Sequence, residues 1–315
     1  MAGSKKVAFL FPGQGSQAVG MGRALAEASP AGRARFAAAD AALGVDLSRL
    51  CFEGPLTELT RTANAQPAVL TASVVAADAL AAAGLRPDVV AGHSLGEYSA
   101  LVVAGALDFA EAVRIVRARG TFMQEAVPEG QGAMAAILGV PAAAIREACA
   151  EAEREGLGVV DVANLNAPDQ TVISGAVAAV ERAMALCKAR DAKRAVRLQV
   201  SAPFHCRLLQ PAADRLAEVL RGLRVGPLRV PLVRNVDAGP MTDPSEVVPS
   251  LVRQVCAPVL WEPSIRRLLK DGVEVFIEVG PGKVLTGLVK RIADGAAAYA
   301  VEDPAGVRAL CEALA

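Results

Sequence analysis

Ser94 lies in Gly92-His93-Ser94-Leu95-Gly96, the spacing of a nucleophile elbow wherever a strand enters the turn and a helix leaves it. Both conditions are met here. Val89-Val90-Ala91 reads as a buried strand, and helical sequence starts near Glu97. The glycines leave room for a strained backbone and a close helix–strand approach, so the serine hydroxyl stands clear of the sheet. The helix turns its free N–H groups and positive dipole end toward the same point. The bland alternative is a plain structural turn, which the flanking elements make the weaker reading.

A nucleophilic serine needs a base, and the chain has two histidines. His93 adjoins Ser94, where successive side chains diverge, so its ring is poorly aimed at that hydroxyl. His205 lies in Ser201-Ala202-Pro203-Phe204-His205-Cys206, a proline-broken junction where a loop residue can face a cleft. By elimination His205 is the expected general base, set against the possibility of a purely structural histidine. In an α/β-hydrolase an orienting acid would lie between serine and histidine, yet no Asp or Glu in 95–204 stands out. Either that acid is hidden, or a backbone carbonyl orients His205 in a Ser–His dyad; the dyad is the preferred reading.

The serine also needs a second backbone N–H for the oxyanion, from a loop after another strand. Residues 5–11 form an apolar run ending in Pro12-Gly13-Gln14-Gly15, and glycine on both sides of Gln14 would let its backbone approach a ligand closely. Gly13, Gly15 and Ala18 also satisfy the dinucleotide fingerprint literally. That use requires a second buried strand, and residues 31–63 are Ala-rich and polar instead.

These residues must be held by a larger frame. Residues 66–83 read as a long Ala/Val helix that leads into the elbow strand, and 108–125 as a helix carrying Arg114, Arg117 and Arg119. Strand is expected at 132–140, 157–162, 170–174 and 193–200, with helices at 141–154 and 178–190. That β-α-β-β-α-β order is ferredoxin-like and fits a small domain, residues 131–202, inserted into a larger one, residues 1–130 and 203–315. Beyond it, helices are expected at 211–221, 245–255, 261–270 and 283–292, and strands at 228–235 and 273–279. Strand, glycine turn and helix recur, so the large domain reads as α/β with a mostly parallel sheet covered on both faces.

Composition narrows the function classes. Thirty-three basic and 33 acidic residues cancel, which argues against a general nucleic-acid binder, and 3% aromatic residues provide no base-stacking platform. The six cysteines include no Cys-x-x-Cys pair, so no metal cluster is expected and the thiols read as reduced and mostly buried. The apolar run after Lys5-Lys6 ends at Phe11, too short for a signal peptide, and no uncharged stretch reaches membrane-spanning length. A cytoplasmic location follows as an expectation, with no membrane partner.

Five segments together resemble the malonyl-CoA:acyl carrier protein transacylases, the family that includes polyketide synthase acyltransferases. They are Phe11-Pro12-Gly13-Gln14-Gly15-Ser16-Gln17, Gln66-Pro67-Ala68, Gly92 to Ala100, Pro203-Phe204-His205 and Glu278-Val279-Gly280-Pro281-Gly282. The resemblance implies an α/β-hydrolase-like domain with a ferredoxin-like insertion. It implies Ser94 as nucleophile, His205 as base, and the backbone N–H groups of Gln14 and Leu95 as oxyanion hole. Arg119, in Arg119-Gly120-Thr121-Phe122-Met123-Gln124, matches the arginine that binds the free carboxylate of the acyl group. Gln254 matches a glutamine whose backbone carbonyl orients the histidine, and Asn166, with Asn164, an asparagine pair beside the site. Phe204 stands where the family places bulk, which suggests malonyl over methylmalonyl; ordinary core packing is its bland reading.

The implied reaction is ping-pong, with malonyl-CoA as donor, a phosphopantetheinylated acyl carrier protein as acceptor and no bound cofactor. Carrier proteins of this kind are acidic, so Lys283, Lys290 and Arg291 are candidate docking residues, although a solvated helix face explains them equally well. A monomer is expected. The rivals are an acyl-thioester hydrolase acting on carrier proteins and a catalytically silent docking module.

Overall fold

The computed structural model describes residues 5–200 and 202–314. Ser201, at the head of the expected junction, lies outside the described residues, as do residues 1–4 and Ala315 at the ends of the expected large domain.

Strands β1 (Val7–Phe11), β2 (Val89–Gly92), β3 (Gly132–Leu138), β4 (Val160–Ala167) and β5 (Gln170–Ala176) are followed by β6 (Arg194–Arg197) and β7 (Leu232–Val233). Then come β8 (Pro240–Met241), β9 (Val275–Val279) and β10 (Ala297–Val301). The larger sheet has the order β10-β9-β1-β2-β7-β8 and is parallel except between β7 and β8. Alternation along its strands feeds two cores. Phe9 and Phe11 join Val90 and Ile277 on one face, whereas Ala8 and Leu10 join Ala91 and Phe276 on the other. Fully burying a side chain of this size contributes roughly 1.5–3 kcal/mol. The first face packs on the helices Thr62–Ala82, Phe109–Glu125 and Gln210–Leu220, the second on Trp261–Lys270 and Val284–Ile292.

The helix Thr62–Ala82 is long and apolar enough to cross a membrane, by length and composition alone. Within the fold, 78% of its most apolar window is buried, so its hydrophobicity is that of a central core helix.

The second sheet is antiparallel, in the order β4-β5-β3-β6. Ala133, Ala135, Ile137 and Ile173 on one face pack against the helices Ala142–Arg154 and Val177–Ala189. Met134, Ala136, Ala163 and Val172 on the other face meet Leu198 and Phe204. Val259 accepts from Leu165 N–H and donates to Ala163 O, each at 2.9 Å, which ties β4 to the segment just ahead of the helix Trp261–Lys270.

Several boundaries differ from the sequence reading. β4 runs through Asn164 and Asn166, which were expected in a connection after residue 162; irregularities between Val162 and Asn164 and between Leu165 and Ala167 let the ladder accommodate them. β7 is confined to Leu232–Val233 within the expected 228–235, since Pro231 lacks an N–H for the ladder. The expected helix 245–255 opens as a 3-10 turn, Pro244–Glu246, before Val247–Gln254. Strand β10 and the helix Pro304–Leu314 have Ala-rich sequences that masked them.

Candidate active site

The elbow forms where β2 passes into the helix Gly96–Val103. Ser94 has a φ of 52°, a left-handed strain that a non-glycine residue adopts only when its surroundings demand it. Those surroundings are tight. A Cβ on Gly92 would lie 1.9 Å from the backbone of Gly96, and one on Gly96 would lie 2.0 Å from the carbonyl oxygen of Phe11. His93 N–H donates to that same Phe11 carbonyl at 3.0 Å, which brings the Pro12–Ser16 loop against the turn.

Ser94 Oγ lies 2.7 Å from Nε2 of His205, although 111 residues separate the two. Nδ1 of His205 lies 2.9 Å from the backbone carbonyl of Gln254. A carbonyl only accepts, so Nδ1 carries the proton and Nε2 is left with a lone pair facing the serine hydroxyl. Burial pushes the imidazole down to about 3, helped by the Arg119 charge, while the Gln254 carbonyl resists the shift. The neutral, proton-accepting form therefore prevails at any ordinary pH.

Arg119 is the one of the three arginines on its helix that points inward; Arg114 is exposed, and Arg117 bonds to Ala63 O and Asn64. Its guanidinium donates to Gln66 Oε1 at 2.8 Å, to Gln254 Oε1 at 3.0 Å and to Ser94 Oγ at 3.1 Å. The face of Tyr98 lies beneath it, 5.4 Å from ring centroid to Cζ. Arg119 is thus a buried cation beside the serine hydroxyl.

Asn166 Oδ1 meets His93 Nε2 at 2.9 Å, and the His93 ring packs near Trp261 at 5.4 Å between centroids. His93 is therefore turned away from Ser94 and held against the small sheet. Asn164 is buried in the same strand. Among the described residues, no hydrogen bond occupies the backbone N–H of Gln14 or of Leu95. Phe204 is half-buried and packs between the main core and the outer face of the small sheet. A cavity of about 550 Å³ is lined in part by Gln14, His93, Asn166, Lys283 and Arg291. Arg291 pairs with Asp169 and Gln170.

Two buried residues were not assigned roles from the sequence. Asn235 accepts from Ser94 N–H at 2.7 Å and donates to Gly92 O at 2.6 Å, so it braces the strained turn. Glu97, fully buried, accepts from Asn235 N–H at 2.9 Å and from Gln254 Nε2 at 3.0 Å. It is an acid within 95–204, the interval where none stood out, yet it meets Gln254 and not His205. Its place one residue beyond the elbow glycine was the available signal.

The chain is similar to known proteins over nearly its whole length. The acyl transferase domain profile matches residues 8–307. A malonyl CoA-acyl carrier protein transacylase of Bacillus subtilis is 50% identical over 309 residues, covering 98% of this chain and 97% of that protein. The chain belongs to the malonyl CoA-acyl carrier protein transacylase family. Within that family, the crystal structure of an acyl carrier protein S-malonyltransferase from Vibrio cholerae superposes with a TM-score of 0.94 at 48% identity, covering 97% of this chain and 99% of that one. A malonyl-transacylase solved in complex with its type II PKS acyl-carrier protein gives 0.94 at 46% identity, covering 98% and 99%. The chain is an acyltransferase with a mixed α/β fold built on a parallel sheet.

Proposed function

We propose that the protein moves a malonyl group from malonyl-CoA to the phosphopantetheine thiol of an acyl carrier protein, with Ser94 carrying it between the two. The observation that carries this reading is the convergence of Ser94 Oγ, His205 Nε2 and Arg119 Nη2 at 2.7 and 3.1 Å. A serine–histidine pair alone would suit many acyl transfers. A buried guanidinium beside the hydroxyl suits an acyl group that ends in a carboxylate.

His205 Nε2 takes the proton from Ser94 as Oγ attacks the thioester carbonyl. The negative oxygen so formed is held by the backbone N–H groups of Gln14 and Leu95, each such donor supporting roughly 2.7–4 kcal/mol in acyl-transfer enzymes. The C–S bond breaks, the CoA sulfur takes the proton from His205, and malonyl remains as an ester on Ser94. The carrier-protein thiol then gives its proton to His205, attacks the ester, and leaves as the malonyl thioester while the proton returns to Ser94. Throughout, the Gln254 carbonyl keeps the imidazole in one tautomer. Arg119 grips the malonyl carboxylate, and this separates malonyl from acetyl. Asn166 and Asn164 form the wall on the small-domain side, with Phe204 limiting room for a branch on the acyl group. In this reading the chain is an α/β-hydrolase-like domain, residues 1–130 and 203–315, with a ferredoxin-like domain, 131–202, inserted. The carrier protein docks near Lys283, Lys290 and Arg291.

Incubation with malonyl-CoA followed by intact-mass analysis tests the reading. A malonyl adduct on Ser94 that a carrier-protein thiol discharges is the expected result. Release of free malonate without transfer would favour a hydrolase, and no adduct at all would favour a silent module.

A further inference from the structure

Among the described residues Glu97 is buried without a cationic partner in hydrogen-bond contact, yet one of its oxygens joins three parts of the site. Oε2 accepts from the backbone N–H of Asn235 and from Nε2 of Gln254. Asn235 in turn holds the N–H of Ser94 and the carbonyl of Gly92. Gln254 offers its backbone carbonyl to His205 and its side-chain oxygen to Arg119.

We propose that Glu97 is a positioning residue for acyl transfer, whose oxygen sets the orientation of the Gln254 side-chain amide and thereby aims Arg119. The logic is one of donors and acceptors. Nε2 of Gln254 faces three acceptors, the Glu97 carboxylate at 3.0 Å, the Ser94 carbonyl at 3.1 Å and, more distantly, Asn235 Oδ1 at 3.4 Å, so Oε1 is left to face Arg119. Without Glu97 the amide loses the closest of those acceptors and the only carboxylate among them. A rotated amide would set an NH2 against the guanidinium, donor against donor, and Arg119 would turn away from the acyl carboxylate. Burial raises the Glu97 carboxyl to about 7, against the pull of the Asn235 and Gln254 bonds and the Arg119 charge, so retaining an acid here works against its own ionisation. Glu97 thus stands in the network that a triad acid would occupy, one residue removed from the histidine.

This inference rests on the transfer reading above, and the experiment separates the two. Wild-type protein, Glu97→Met and Glu97→Gln are compared for the rate of adduct formation on Ser94 with malonyl-CoA and acetyl-CoA, alone and combined with Gln254→Met. Failure of the wild type to form the adduct would overturn the transfer reading itself. With an active wild type, Glu97→Met is expected to slow malonyl loading at least ~30-fold and to reduce the malonyl-over-acetyl preference ~10-fold, magnitudes typical of losing one or two buried polar contacts. Glu97→Gln, whose amide oxygen can still accept both bonds, is expected to recover most of both. Adding Gln254→Met should leave Glu97→Met little worse, because the two act as a unit. A wild-type rate and preference in Glu97→Met would overturn the inference, as would equal losses for both acyl groups that add to those of Gln254→Met. Should Glu97→Met not fold, Glu97→Asp withdraws the oxygen by one methylene, and the same preference and coupling are read from it.

Discussion

Arg119 donates from a single nitrogen, Nη2, to the side-chain oxygen of Gln254 and to the hydroxyl of Ser94. The group read as the acyl-carboxylate clamp therefore lies against the Ser94 hydroxyl, held there by the residue whose backbone carbonyl bonds to His205. Arg119, Ser94, Gln254 and His205 share one hydrogen-bond network, so changes at one should be felt at the others.

Arg119→Ala removes the cation that would pair with malonyl. Losing two charge-assisted bonds should lower kcat/KM for malonyl-CoA by about a hundred- to a thousandfold. Acetyl-CoA, which has no carboxylate to bind, should become the comparable or better donor. Unchanged preference in a competition assay would remove Arg119 from the acyl pocket.

His205→Ala should slow adduct formation on Ser94 by at least about a thousandfold, because the ring proposed as base contacts the hydroxyl directly. His93→Ala should have a much smaller effect, since its ring is held by Asn166. Rapid-quench mass analysis of both variants checks the ordering, and a near-normal rate in His205→Ala would point back to His93.

Gly96→Ala should fold poorly or not at all. Its new methyl would sit 2.0 Å from the Phe11 carbonyl, a backbone atom in the centre of the sheet. A loss of at least about 3 kcal/mol is expected in denaturant melts. Wild-type stability would mean that the helix and β1 can separate more readily than their contacts suggest.

Stability should respond to pH through two buried groups of opposite sign. Glu97 has its carboxyl raised from 4.5 to about 7, so the folded protein binds this proton more tightly and loses stability as pH rises through that window. His205 has its imidazole lowered from 6.5 to about 3, so the folded protein loses stability as pH falls from 6.5 toward 3. The full effects are roughly 3 and roughly 5 kcal/mol. Between 4.5 and 6.5 they oppose each other, and below 4.5 only the histidine acts. Relative to wild type, Glu97→Gln should therefore gain stability on going from pH 5 to pH 8. Melts of both proteins at the two pH values would show no relative gain if Glu97 titrated normally.

The strand–turn–helix around Ser94, the glycine loop at Gln14, the strand and helix order of residues 132–197 and the choice of His205 over His93 as the histidine facing Ser94 were all legible from the chain alone. Each is a local signal: a glycine spacing, a proline break, an alternating apolar run, or a scarce residue type. Arg119 and Gln254 needed the family resemblance as well, since three arginines share the helix Phe109–Glu125 and only packing decides which one is buried. What the tertiary structure alone decided is the wiring. Glu97 meets Asn235 and Gln254 across 138 and 157 residues of chain, and no local pattern encodes such pairs. They exist because β2 and β7 pair side by side and the helix Val247–Gln254 ends against the elbow, which brings buried polar groups close enough that each must find a partner.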